Sequence, residues 1–231
     1  MRALAAVALA ACSSSTPATL TGHAEPRPVL GPAPQIAWHA GQHPPFELTR
    51  LPAVARTGDV AVMPLQDNDA GRGNLNLRLE VRDRADRVVD KIEVMTVDEY
   101  EQFVPDGEQP TLPLNNRIAD ANRKLADLHS QHDLVAMRGF ETEADGLVVT
   151  FDAAHELHVR PRSGADLATV DGTGWLAKPG QRCAQCPPCE NPARLSGFYK
   201  ASGINVVVVR IAYSGTDTCW EPPDQLHVIA W

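Results

Sequence analysis

The chain has 231 residues, with 21 basic against 29 acidic side chains and a formal net charge of −8. A surface of that sign repels phosphate backbones and anionic lipid heads, which argues against nucleic acid as a partner. With 3 Tyr, 5 Phe and 4 Trp there is no conspicuous aromatic platform for sugars, and the length suits one good-sized core or two small ones.

The first residues read MRALAAVALAACSSST: one positive charge at Arg2, an apolar run from Ala3 to Ala11, then Cys12 ahead of three serines. A membrane-spanning helix needs about 20 apolar residues. This run is shorter and ends in small side chains, as a signal peptide does. Leu9, Ala10, Ala11 and Cys12 together resemble the lipobox of bacterial lipoprotein signal peptides. The resemblance covers only these residues. It implies that residues 1–11 are removed, that Cys12 becomes the first residue, and that its thiol and new amino terminus are acylated. Ser13 after the cysteine implies sorting to the outer membrane. Two or more acyl chains anchor a protein stably, so the expected partner is a membrane reached through lipid at Cys12.

Residues 12–45 carry Pro17, Pro26, Pro28, Pro32, Pro34, Pro44 and Pro45 among small polar side chains. Such a stretch buries too little surface to offset its ordering entropy and reads as a tether. Trp38, near Ile36, is the exception: it either docks onto the domain or a partner, or stands as an isolated exposed aromatic.

The globular part spans 46–231, divisible into subdomains 46–135 and 136–231. Its dominant signal is alternation. In LNLRLEVR, Leu75, Leu77, Leu79 and Val81 face one way while Asn76, Arg78, Glu80 and Arg82 face solvent, the pattern of a half-buried strand. Val88 to Val97 reads as its hairpin partner across the turn at Asp83 to Asp86. Further strands are expected at GLVVTFDA, ELHVRP, ATVD, GWLAK, INVVVVRIAY and QLHVIAW, with Asp145-Gly146 and Asp171-Gly172 as turns. The run Val206 to Val209 is apolar on both faces and so predicts a central strand. LEVRDR at 79–84 echoes LHVRPR at 157–162.

One principal helix is expected at about 116–131, capped by Asn115 or Asn116, with Ile118, Ala121, Leu125 and Leu128 forming an apolar stripe. Shorter helices are expected over VDEYEQF and from Asn191-Pro192. The fold class is therefore a β-rich α+β domain with antiparallel sheets, sandwich-like, and a disulfide-stapled C-terminal part.

Cys183, Cys186, Cys189 and Cys219 are an even number in an oxidising compartment, and two disulfides are the expectation. The preferred pairing is Cys183 with Cys186 and Cys189 with Cys219, because an extended Cys186-Pro-Pro-Cys189 places its ends about 9 Å apart, beyond the roughly 7 Å a disulfide spans. A four-cysteine zinc site is disfavoured because Pro187 and Pro188 offer no amide donors to sulfur. Redox chemistry is disfavoured because the expected helix starts after the motif.

Three other patterns invite a metal. In HELH, His155 and His158 are three apart in a strand and face opposite ways, unlike the helical four-residue spacing of zinc proteases. His129, His132 and Asp133 share a helix end. DNDAGRGN at 67–74 departs from the EF-hand pattern at Gly71 and Arg72. None carries a metal assignment, and no nucleophile elbow, phosphate loop or dinucleotide fingerprint is present. The expectation is a cell-envelope lipoprotein without catalytic, cofactor or metal residues, acting as a binding, assembly or accessory module towards an envelope protein or glycan. The rival classes are an envelope hydrolase or metal-dependent enzyme, which would gather some of His129, His132, His155, His158 and His227 at one site, and a thiol-redox protein using Cys183, Cys186 and Cys189.

Overall fold

The computed structural model describes residues 30–41, 44–66, 75–106, 109–176, 192–213 and 223–231. Cys12, Cys183, Cys186, Cys189, Cys219 and the 67–74 segment weighed as a calcium loop lie outside the described residues. In chain order the elements are β1 (Gln35–Trp38), β2 (Phe46–Thr49), β3 (Ala53–Ala55), β4 (Val60–Leu65), β5 (Leu77–Asp83), β6 (Val88–Met95), α1 (Tyr100–Phe103), α2 (Leu112–His132), β7 (Leu134–Ala136), β8 (Arg138–Phe140), β9 (Glu143–Ala144), β10 (Leu147–Phe151), β11 (Glu156–Pro161), β12 (Ala168–Asp171), β13 (Ala193–Lys200), β14 (Val206–Tyr213) and β15 (Gln225–Ala230). Among the described residues no helix is long and apolar enough to cross a membrane.

The strands form a β1-β2 hairpin, a five-stranded sheet ordered β6-β5-β4-β3-β7, and two four-stranded sheets ordered β15-β14-β13-β8 and β12-β11-β10-β9. Every pairing is antiparallel. Three apolar cores stack these sheets in layers. The first joins α2 and the β1-β2 hairpin to the face of the five-stranded sheet that carries Leu77, Leu79 and Val81. The second joins the opposite face, with Val54, Ala61 and Met63, to Val206, Val208, Leu226 and Val228. The third joins the reverse side of that middle sheet, with Phe198, Val207, Val209 and Ile211, to Val149, Leu157 and Val159 of the last sheet.

β14 therefore lies in the middle of the molecule. Because successive side chains of a strand face opposite sides, its even-numbered valines fill one core and its odd-numbered ones the next. This is the central strand that the Val206 to Val209 run predicts.

Helix α2 begins at Leu112, earlier than the asparagine caps suggest, with Thr111 as the capping residue and Pro113 in the first turn. Proline costs no hydrogen bond there. Leu114, Ile118, Ala121 and Leu125 form its buried stripe, and Asp133, left-handed at φ 47°, closes it by donating its backbone N–H to His129 O. Asn122 extends from the helix to β1, accepting from Ile36 N–H at 2.8 Å and donating to Ile36 O at 2.9 Å. Ile36 is thereby held at 2% exposure, and Trp38 packs edge-on against Phe46 at 5.1 Å. The tryptophan docks onto the domain.

Three local expectations are corrected. The chain after Pro192 is strand β13 instead of a helix: Phe198 is taken up by the third core, and the ladder with β14 satisfies its backbone. Thr173–Trp175 is a 3-10 turn instead of a strand. The polar row of β5 is not solvated throughout, since Asn76 and Glu80 are 4% and 5% exposed.

Candidate functional site

Glu80 is buried because the polar row of β5 leads to a junction between two sheets. In the β5-β6 turn, Asp83 Oδ1 accepts the N–H groups of Ala85 at 2.9 Å and Arg87 at 3.0 Å, and Asp86 takes a left-handed conformation at φ 60°, which Asp tolerates better than most residues. The Asp86 carboxylate then meets β15. Its Oδ2 lies 2.7 Å from His227 Nδ1, while Oδ1 accepts Val228 N–H at 2.8 Å and Arg82 Nη1 at 2.9 Å. Arg82 reaches back to Glu80 Oε2 at 2.7 and 3.0 Å. Burial pushes the Asp86 carboxyl upward, but the hydrogen bonds from His227, Val228 and Arg82 outweigh it and hold the group below the usual carboxylate range.

The other side of His227 is closed as well. Its Nε2 is 3.1 Å from Gln225 Oε1, and the Trp175 indole stacks on its ring at 4.2 Å and 18°. Trp175 stacks in turn on Phe151 at 6.2 Å, and its carbonyl accepts from the Tyr213 hydroxyl. Burial pushes the Tyr213 phenol up to about 12, so it remains a donor. Gly172 makes this stacking possible: a Cβ there would lie 2.6 Å from Phe151 and 2.8 Å from Trp175. Histidine, carboxylate and arginine thus resemble catalytic parts, yet both ring nitrogens and both Asp86 oxygens are engaged within the protein.

The second cluster sits on the last sheet and is open. Glu156 and His158 are two apart in β11 and so share a face. Asp152, in the β10-β11 turn, fixes its Oδ1 by accepting the N–H groups of Ala154 and Glu156, each at 2.9 Å. Asp152 Oδ2 lies 3.5 Å and Glu156 Oε2 3.9 Å from His158 Nε2. The opposite nitrogen, Nδ1, is 2.8 Å from Asp166 Oδ2, which also accepts from Thr169 Oγ1 at 3.2 Å. The Asp166 hydrogen bond, with a smaller one from Asp152, holds the His158 imidazolium above its usual range.

Among the described residues, the other histidines expected to gather at a site do not join either group. His155, left-handed at φ 64°, tilts over Phe151 at 5.9 Å, away from the face of His158. His129 is buried, with Nε2 2.8 Å from Gly31 O. His132 lies 3.8 Å from Asp59, and Asp133 pairs with Arg56 at 2.6 Å, so the helix-end trio diverges. Among the described residues, Asp152, Glu156 and His158 are the group whose ligand atoms all lie within 4.8 Å of one another. The usable signal in the sequence is the two-residue spacing of Glu156 and His158, which puts both on one strand face, unlike the three-residue spacing of His155 and His158. No protein-family model matches the chain, and no curated protein and no solved structure matches it.

Proposed function

We propose that the protein is a lipid-anchored cell-envelope lipoprotein, attached through Cys12 and held at the outer membrane, whose β-rich domain serves as a non-catalytic binding, assembly or accessory module. The observation that carries the reading is the short apolar run ending in Leu9-Ala10-Ala11-Cys12, which suits acylation and is too short to span. The closed state of the His227 junction supports the non-catalytic part. Its nitrogens are held by Asp86 and Gln225, so the most triad-like constellation in the described fold offers no group to a substrate.

The disulfide staple belongs to the same proposal. Ala193 of β13 pairs with Tyr213 of β14. Cys189 precedes Ala193 by four residues and Cys219 follows Tyr213 by six. At up to about 3.3–3.6 Å per residue these sequence distances allow Cys189 and Cys219 to meet, and the proposed pairing is Cys189 with Cys219 and Cys183 with Cys186.

The test is the intact mass of the protein purified from its own envelope, alkylated before or after reduction. The reading expects a chain that starts at acylated Cys12 and four thiols that react only once reduced. An unacylated chain retaining residues 1–11 removes the lipoprotein assignment, and thiols that react without reduction remove the staple.

A further inference from the structure

The open cluster on β11 sets carboxylates at two different spacings around one imidazole. A charge-assisted hydrogen bond between imidazole and carboxylate closes to about 2.7–2.9 Å, and Nδ1 of His158 has such a contact with Asp166 at 2.8 Å. Nε2 has none that short. It faces two carboxylate oxygens at 3.5 and 3.9 Å. Ligand atoms each about 2.0–2.2 Å from one tetrahedral metal ion stand roughly 3.3–3.6 Å apart. The Asp152 oxygen stands at that spacing from Nε2, the Glu156 oxygen lies slightly beyond it, and the three ligand atoms are all within 4.8 Å of one another.

The partners of the three groups point the same way. Metal-ligating histidines characteristically donate their other N–H to a carboxylate, which fixes the tautomer and turns the free lone pair to the metal. Asp166 occupies that position on Nδ1, itself steadied by Thr169. Asp152 has one oxygen committed to two backbone amides and the other turned to His158. Glu156 and His158 are locked to one face by the β11 pairings with β10 and β12. The His158 side chain is 23% exposed, so an ion can enter from solvent.

We propose that Asp152 Oδ2, Glu156 Oε2 and His158 Nε2 form a binding site for a divalent transition-metal ion of the zinc class, with Asp166 as the positioning residue behind the histidine. One imidazole and two carboxylates suit zinc or cobalt better than calcium or magnesium, which prefer oxygen alone. Three protein ligands leave a position for water or an incoming donor, the arrangement of an exchangeable site. The inference does not depend on the lipoprotein reading.

The test is a Zn²⁺ titration of the tag-free full-length protein, stripped with chelator and with free thiols alkylated so that the cysteines supply no thiolate. Affinity is read by competition with a chromogenic chelator. One equivalent should bind, with affinity falling at least tenfold in H158Q and D152N and by a similar or smaller factor in D166N. Circular dichroism and melting of the metal-free variants check that the fold is kept, and E156Q, at an exposed strand position, gives an independent reading if another variant misfolds. Equal Zn²⁺ affinity in H158Q and the unaltered chain overturns the proposal. So does the lack of a one-equivalent site, or displacement of zinc by equimolar Ca²⁺.

Discussion

His227 and His158 each present Nδ1 to an aspartate, at 2.7 and 2.8 Å, and from that pair alone they would be given the same role. Their surroundings separate them. At the junction of β15 with the β5-β6 turn, Nε2 is taken by Gln225 and one ring face by Trp175. On β11, Nε2 looks towards two carboxylates and solvent. A histidine-aspartate pair is a fastener when its second nitrogen is closed off by a buried neighbour and a candidate site when that nitrogen faces further ligand groups at an exposed surface. The dyad by itself carries no function.

If this distinction is right, the two regions respond unequally to substitution. The largest effect falls at Asp86. Asp86→Ala strands Val228 N–H, Arg82 and His227 at a largely buried site, and loss of such a network costs about 3 kcal/mol, read as a shift in the denaturant midpoint. Gly172→Ala comes next. Its Cβ meets Phe151 and Trp175 below 3 Å, and overpacking of this kind costs about 1–3 kcal/mol, with a change in tryptophan fluorescence as the rings part.

A smaller effect appears in acid. The folded Asp86 carboxyl lies below its ordinary value, so the unfolded chain takes up that proton first as pH falls. Its contribution is complete above the unfolded value of about 3.9 and is lost as pH drops through the folded one. Unfolding free energy should therefore rise with pH across the acid limb, and the slope should flatten in D86N. The smallest effect belongs to His158→Ala without metal, which should stay within about 0.5 kcal/mol, the scatter of surface substitutions. A loss as large as that of Asp86→Ala would show that the β11 cluster is also a fastener.

The sequence made some of this legible. Alternating runs such as β5 and β11, and the doubly apolar β14, declare their faces through period two. The short strands β3, β7, β8 and β9 span two or three residues, too few for any period to register. β4 was hidden by Pro64, which breaks the strand pattern yet sits where β3 no longer pairs, since that ladder ends at Val62. A proline is tolerated where its strand has become an edge. The burial of Glu80 has no local signal: its carboxylate is tied through Arg82 to Asp86, and Asp86 to His227, 141 residues further along the chain.

The sites divide in the same manner. Glu156 and His158 could have been paired from their spacing in a strand. Asp152 and Asp166 come from loops on either side and reach His158 only through the β10-β11-β12 register. The His227 junction joins a turn to a strand 141 residues distant, and no local pattern announces it.

The most direct measurement is the histidine ring spectrum of the full-length protein during Zn²⁺ addition, with signals assigned by the H158Q and H227Q variants. The account predicts that the His158 ring shifts and saturates at one equivalent while the His227 ring stays in place. Movement of the His227 signal with His158 unchanged would contradict it, because the nitrogen treated as closed would then be the one that binds.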